Sequence, residues 1–205
     1  MARDTESIVK RSRREGYALH PKAHKALVKR STPPGGVSGG RMGRSKSSQY
    51  ALQLREKQKV KRLYGLLERQ FAKLMTEAAR SRGHSGSQLL EFLERRLDNV
   101  IYRAGFAPSR PAARQLVSHG HFQLNGRRVD IPSIRAKSGD EISILPASAK
   151  NEYFKNLDSI SPSSAAPAWL NVNRKKLTVS VSADPTREDA EPDIKEQLIV
   201  EYYSR

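Results

Sequence analysis

The 205-residue chain contains no cysteine, which excludes disulfides, thiolate catalysis and cysteine-ligated zinc together. Aromatic residues make up only 6% of it and hydrophobic residues 37%, too little for a large enzyme core around an enclosed pocket, though enough for two small cores. No stretch approaches the uninterrupted apolar length that crosses a bilayer, and the first residues carry charge where a secretory leader needs an apolar run. A soluble, intracellular chain with no membrane partner is expected. Negative charge is scarce too: 21 Asp and Glu stand against 38 Lys and Arg, giving a net charge of +17 and a pI near 10.4. That excess points to a polyanionic partner, with nucleic acid the leading class.

The excess is local. Residues 1–62 hold 17 Lys and Arg against only Asp4, Glu6, Glu15 and Glu56, so +13 of the +17 lies in under a third of the chain. Apolar periodicity is weak up to Gln49, and Pro33 to Gly40 holds no regular element, so a loop-rich basic arm is expected over 1–49. Within it Lys10, Arg11, Arg13 and Arg14 form one phosphate-seeking cluster, and Arg41, Arg44 and Lys46 another. Two weaker patterns are discounted. Gly36 to Gly39 fits a GxxG loop but has no flanking hydrophobic helix pair and no Gly-Lys-Ser/Thr ending. His20 and His24 have metal-pair spacing, but Pro21 lies between them and no third ligand is evident.

From Leu52 to Arg82 the reading becomes helical: Leu63, Leu67, Phe71, Leu74 and Ala78 form one apolar stripe. Arg55, Lys57, Lys59, Lys61 and Arg62 load the start of this stretch with positive charge, which the helix dipole disfavours by about 0.3–1 kcal/mol at an exposed site. An anion close by explains that charge. Gly83 stops the stretch, and Ser85 with Gln88 has a capping-box pattern.

Leu93 to Leu145 is the most ordered reading. Leu93, Leu97 and Ile101 predict a helix stopped at Gly105; Ser109 and Pro111 start a second, which continues through Leu116 and Val117 to Gly120. Phe122 and Leu124 then alternate as a strand, Asn125-Gly126 has the residues of a type I′ turn, and Arg127 to Val129 returns. Ile142 and Ile144 predict a third strand. Arg110, Arg114, His119, His121, Arg127 and Arg128 are left for the opposite side, next to exposed helix N–H groups, a geometry that suits phosphate. Two readings of each histidine stand, a donor to RNA or a neutral ring packed beside the hairpin. Arg95 and Arg96, near Asp98, are candidates for internal ion pairs.

Further on, Tyr153, Phe154 and Leu157 permit one short helix, and Trp169 to Val172 with Leu177 to Val181 predict a strand pair. Asp193 with Glu196 reads as a cap for a terminal helix over Ile194, Leu198, Ile199 and Tyr202. The acidic residues after Ala183 suit either a basic protein neighbour or plain surface.

The run RLDNVIYRAGFAPSRPAARQLVSHGHFQLNGRRVDIPS resembles the small RNA-binding domain named after small-subunit ribosomal protein four, and the LREKQK stretch before it and EQLIVEYYS at the end resemble that protein family outside the domain. The resemblance implies an α+β fold. Its parts are the arm 1–49, a helical domain 50–92 completed by a C-terminal helix 183–205, a small αα-hairpin and β-strand RNA-binding domain 93–157, and a linker with strand pair 158–182. It further implies a non-enzymatic constituent of the small ribosomal subunit, cytoplasmic or in an organelle, that binds the 5′ domain of 16S-type rRNA. Assembly nucleation, translational accuracy shared with neighbouring protein five, and a place near mRNA at its entrance to the subunit are implied as well. No cofactor or metal is expected, since the cysteine cluster of some relatives is absent.

The residues placed on RNA are Arg13, Arg14, Arg44, Arg55, Lys57, Lys59, Arg62, Arg110, Arg114, Gln115, Ser118, His119, His121 and Arg127. Pseudouridine synthases carry similar domains, but fewer than sixty residues beyond the linker leave no room for a catalytic domain. A free RNA chaperone or RNA-modification factor using the same domain is the alternative.

Overall fold

A computed structural model describes residues 6–35, 48–161 and 166–204, and the chain divides into two units, Met1–Met75 with Ile194–Arg205, and Thr76–Asp193. The first unit begins with helices α1 (Ile8–Glu15) and α2 (Ala23–Lys29), where the sequence led us to expect loops. Each helix runs only about two turns, and of their apolar residues and those linking them only Leu19 and Ala23 are buried. Polar ties replace the missing core: the buried Ser12 hydroxyl donates to Ile8 O at 2.8 Å and accepts from Leu19 N at 3.3 Å. The GxxG pattern, Arg41, Arg44 and Lys46 lie outside the described residues.

Ser48 caps α3 (Gln49–Leu63) by accepting from Ala51 N at 3.2 Å. The single long helix expected here is two. The chain turns at Tyr64-Gly65, with Leu66 N donating back to Lys61 O at 2.9 Å, and α4 runs Glu68–Arg80. Phe71, Met75 and Ala78 are buried on α4, whereas Leu67, assigned to the apolar stripe, falls in the turn and is 41% exposed.

In the second unit α5 (Ser85–Glu94) and α6 (Leu97–Arg103) share the predicted stripe, with Leu93, Leu97 and Ile101 all buried. They are separate helices because the chain between them pairs sideways: Leu97 N donates to Ile134 O and Ala136 N to Arg95 O, both at 2.8 Å. The expected capping box at Ser85 is absent; His84 is the N-cap without a side-chain bond, and Gln88 donates to Glu91 within the helix. Ser109 does cap α7 (Arg110–Ser118), accepting from Ala112 N.

The hairpin of β1 (Phe122–Leu124) and β2 (Arg127–Val129) turns through Asn125 and Gly126 at φ 49° and 79°, the positive values a type I′ turn requires. β3 (Glu141–Ile144) pairs antiparallel with β1, Phe122 opposite Ile144. Three short helices follow in place of one, α8 (Pro146–Ala149), α9 (Glu152–Lys155) and α10 (Leu157–Ile160). β4 (Leu170–Asn173) and β5 (Thr178–Val181) then join the same sheet through β3, Ile142 opposite Val179, giving the order β2-β1-β3-β5-β4. One core of Leu97, Ile101, Phe106, Val117, Phe122, Ile142, Trp169 and Val179 fills this unit.

The last helix, α11 (Glu196–Tyr203), returns to the first unit and packs on α3. Asp193 does not cap it. The entering backbone is instead held from α3, where Glu56 Oε1 accepts from Lys195 N at 2.9 Å. Gln53 Nε2 donates to Glu201 at 2.7 Å, and the rings of Tyr50 and Tyr202 stack at 5.9 Å. The architecture is α+β.

Candidate nucleic-acid interface

The cap at Ser109 and Pro111 in the first turn fix where α7 starts, and that phase puts Arg114, Gln115 and Ser118 on one helical face, with His119 just beyond. Gln115, Ser118 and His119 are exposed. Arg114 reaches Asp98 at 3.4 Å while keeping 41% of its side chain in solvent. The hairpin brings Arg127 and Arg128, both exposed, from β2. Arg128 folds back over the end of α7, so that a Cβ on Gly120 would lie 2.7 Å from its Nε. Arg128 therefore adjoins the end of the α7 face, while Arg127, the preceding residue of the strand, points to the opposite face of the sheet.

His121 is half-buried. Its Nδ1 lies 3.0 Å from Ser148 Oγ and its ring meets Phe154 edge-on at 5.8 Å. Burial, and then the nearby His119 and Arg128, lower its pKa. His119 stands 6.1 Å away on the outside.

Several cations placed on RNA from sequence have internal partners. Arg110 keeps only 10% of its side chain exposed, donating to Asn99 at 2.9 Å and Glu191 at 3.0 Å with Tyr102 beneath it at 4.6 Å. Glu94, fully buried, receives Arg103 through two bonds and Asn99 through a third, which completes a network the sequence reading did not identify. Arg96 pairs with Asp98 at 2.8 Å, and Arg95 with Glu91 at 3.0 Å.

In the first unit Lys57 is 4% exposed and bonded to Glu68 at 2.6 Å; Lys61 reaches the same carboxylate at 2.8 Å. Lys59 pairs with Glu56 at 2.7 Å. Arg55 and Arg62 converge on Glu15, whose carboxyl is raised by burial in spite of the Arg55, Arg62 and Arg14 charges. Arg14 pairs with Glu6 at 3.3 Å, and Arg13 donates to Thr32 O at 2.9 Å. The expected cations at a helix start are not there: α3 begins at Gln49, so Arg55 to Arg62 fill its middle and last turns, where the helix dipole favours positive charge, and Glu15, Glu56 and Glu68 on α1, α3 and α4 lie around them. Arg44 lies outside the described residues. Among the described residues no group of three or more His, Asp or Glu stands close enough to hold a metal.

Comparison with known proteins matches the family model "Ribosomal protein S4/S9 N-terminal domain" over residues 3–94 and the model "S4 domain" over 95–142. Curated relatives called small ribosomal subunit protein uS4 align along the whole of both chains. The protein of Chloroflexus aurantiacus is 50% identical over 207 residues, and that of Clostridioides difficile 49% over 211, each covering 100% of both chains. That of Chlorobium phaeovibrioides is 47% identical over 205 residues with the same coverage. With both models matched in sequence order and half the residues shared from end to end, the chain belongs to the small ribosomal subunit protein uS4 family.

Proposed function

We propose that the chain binds the 5′ domain of small-subunit ribosomal RNA through Arg114, Gln115, Ser118, His119, Arg127 and Arg128, and nucleates subunit assembly from there. As a member of its family it is a structural, non-enzymatic, rRNA-binding constituent of the small ribosomal subunit. The observation that carries the finer reading is a difference among its cations: Lys57, Arg62 and Arg110 are largely buried against carboxylates, whereas Arg127 and Arg128 are exposed and Arg114 keeps 41% of its side chain in solvent beside Asp98. A fixed array of guanidinium groups with adjacent amide and hydroxyl donors suits phosphate and ribose and reads RNA by its shape.

A neighbouring protein, protein five, is placed on the first unit. There Tyr50 and Leu52 are 47% and 44% exposed, and Leu52 borders a concavity of about 470 Å³ with Ile194, Leu198 and Glu201. An apolar rim beside a carboxylate suits a basic protein partner. Through that contact the chain contributes to translational accuracy, close to mRNA at its entrance to the subunit.

Sedimentation tests the assignment. Tagged chain is expected to migrate with small subunits at moderate salt. Free migration contradicts it and restores the RNA chaperone reading.

A further inference from the structure

Residues 184–193 carry Asp184, Glu188, Asp189, Glu191 and Asp193 against Arg187 alone, a dense block of negative charge in a chain whose net charge is +17. The segment has a defined shape. Thr186 N and Oγ1 donate to Asp189 Oδ2 at 2.7 and 2.9 Å, which folds one 3-10 turn at Arg187–Asp189, and Pro185 and Ala190 on either side of that turn are buried. The turn packs on α5, so the segment lies as a strap on the helices of the small domain.

Two strap carboxylates reach arginines of those helices. Asp184 lies 3.5 Å from Arg95 just past α5, and Glu191 lies 3.0 Å from Arg110 in α7 and 3.5 Å from Arg103 in α6. Arg95 and Arg103 already have Glu91 at 3.0 Å and Glu94 at 2.8 Å within the helices, so the strap adds a second carboxylate to each. The three arginines are 16%, 18% and 10% exposed. Arg114, four residues after Arg110 on the same side of α7, keeps 41% of its side chain in solvent. The strap therefore ends where the open part of that helix begins.

We propose that the strap Asp184–Glu191 is an internal phosphate mimic, which shields Arg95, Arg103 and Arg110 and thereby makes the domain select folded rRNA over unstructured RNA. This rests on the rRNA-binding reading above and adds to it the RNA that is turned away. Attraction to an arbitrary strand comes from accessible positive charge alone, whereas a folded site is held by fitted contacts as well, so shielding cations weakens the first more than the second. Carboxylates set against the wrong partner raise specificity with no new contact to the right one.

The test uses the full chain, the 5′ domain of small-subunit rRNA transcribed in vitro, and poly(U) as the unstructured strand. Asp184→Asn, Glu191→Gln is expected to tighten poly(U) binding several-fold and steepen its logarithmic salt slope by up to about 1.4, two contacts at about 0.7 each, so that the preference for the 5′ domain falls. Glu152→Gln, Glu188→Gln removes the same charge from two exposed carboxylates outside these ion pairs and is expected to change the slope little. Adding Arg110→Gln to the strap variant should reverse the gain, which loosened packing alone would not do. Asp184 is 53% exposed, so Asp184→Asn by itself leaves the chain folded and should steepen the slope by up to about 0.7. Strap variants that match the Glu152, Glu188 variant in poly(U) affinity and slope overturn the proposal and leave the α7 reading standing. Unaltered chain that binds the 5′ domain no more tightly than poly(U) removes that reading instead.

Discussion

Lys57 Nζ lies 2.6 Å from Glu68 Oε1 in a side chain only 4% exposed, and 4.5 Å from the centre of the Tyr202 ring. Glu68 also accepts from Tyr203 Oη at 3.1 Å, and burial followed by the Glu68 charge raises the Tyr203 phenol pKa. One lysine of α3 therefore fastens α4 and α11 together. Breaking a fully buried pair costs about 3–5 kcal/mol, but Glu68 is 47% exposed and regains water. Lys57→Ala is accordingly expected to lower stability by about 1–2 kcal/mol in urea titration, with the salt slope of RNA binding unchanged.

The same pair sets an acid dependence. Burial alone raises the Glu68 pKa, but the bonds and charges of Lys57 and Lys61 outweigh it and bring the value from 4.5 down to about 2. A folded pKa below the unfolded one gives stability that is present above the unfolded value and lost as pH falls toward the folded value. Urea titrations from pH 5 to pH 2 should show the unaltered chain losing stability below about 4.5 more steeply than Glu68→Gln. Equal slopes would show that Lys57 and Lys61 do not hold the carboxylate.

Asp98 serves two arginines of unequal burial. Arg96, 5% exposed, donates to it through two bonds, while Arg114, 41% exposed, touches it at 3.4 Å. Asp98→Ala strands the Arg96 charge in the interior and should cost about 3–5 kcal/mol. Arg114→Ala should cost under about 1 kcal/mol, since the exposed partner is solvated. Thermal unfolding of the two variants, compared with RNA affinity, should rank them in opposite orders.

The small domain was legible in the sequence because its signals are local. Ser109 with Pro111, Asn125-Gly126 and the alternation at Phe122, Leu124, Ile142 and Ile144 each fix an element within a few residues, and the structure has all of them. What escaped depends on partners distant in the chain. The break between α5 and α6 is made by the segment around Arg135, and the join of β5 to β3 crosses the linker. For the cations, residue type and helix phase do not tell an exposed arginine from one facing a carboxylate. Arg110 meets Glu191 and Arg62 meets Glu15, at separations of 81 and 47 residues, and no local pattern announces either.

Glycine positions give a further test of local geometry. Gly105 and Gly126 both have positive φ, 74° and 79°, but only at Gly105 would a Cβ meet a neighbour, Arg174 Nη2 at 2.6 Å. Arg174 is pinned by Asp158 at 2.7 Å and by the Gly105 and Ser161 carbonyls. Alanine in a left-handed position costs more than the roughly 0.4–1 kcal/mol it gains from a less flexible unfolded chain. Gly105→Ala should be more destabilising than Gly126→Ala in chemical denaturation; equal costs would show that Arg174 yields freely.

The most direct test of the division between structural and RNA-facing cations is a salt titration of full-length chain on the 5′ domain of small-subunit rRNA, run for the unaltered protein and for Arg114→Glu, Arg128→Glu. The account predicts lost affinity and a logarithmic slope lower by up to about 1.8, with the unfolding midpoint held. A folded double variant that binds with the original affinity and slope contradicts it.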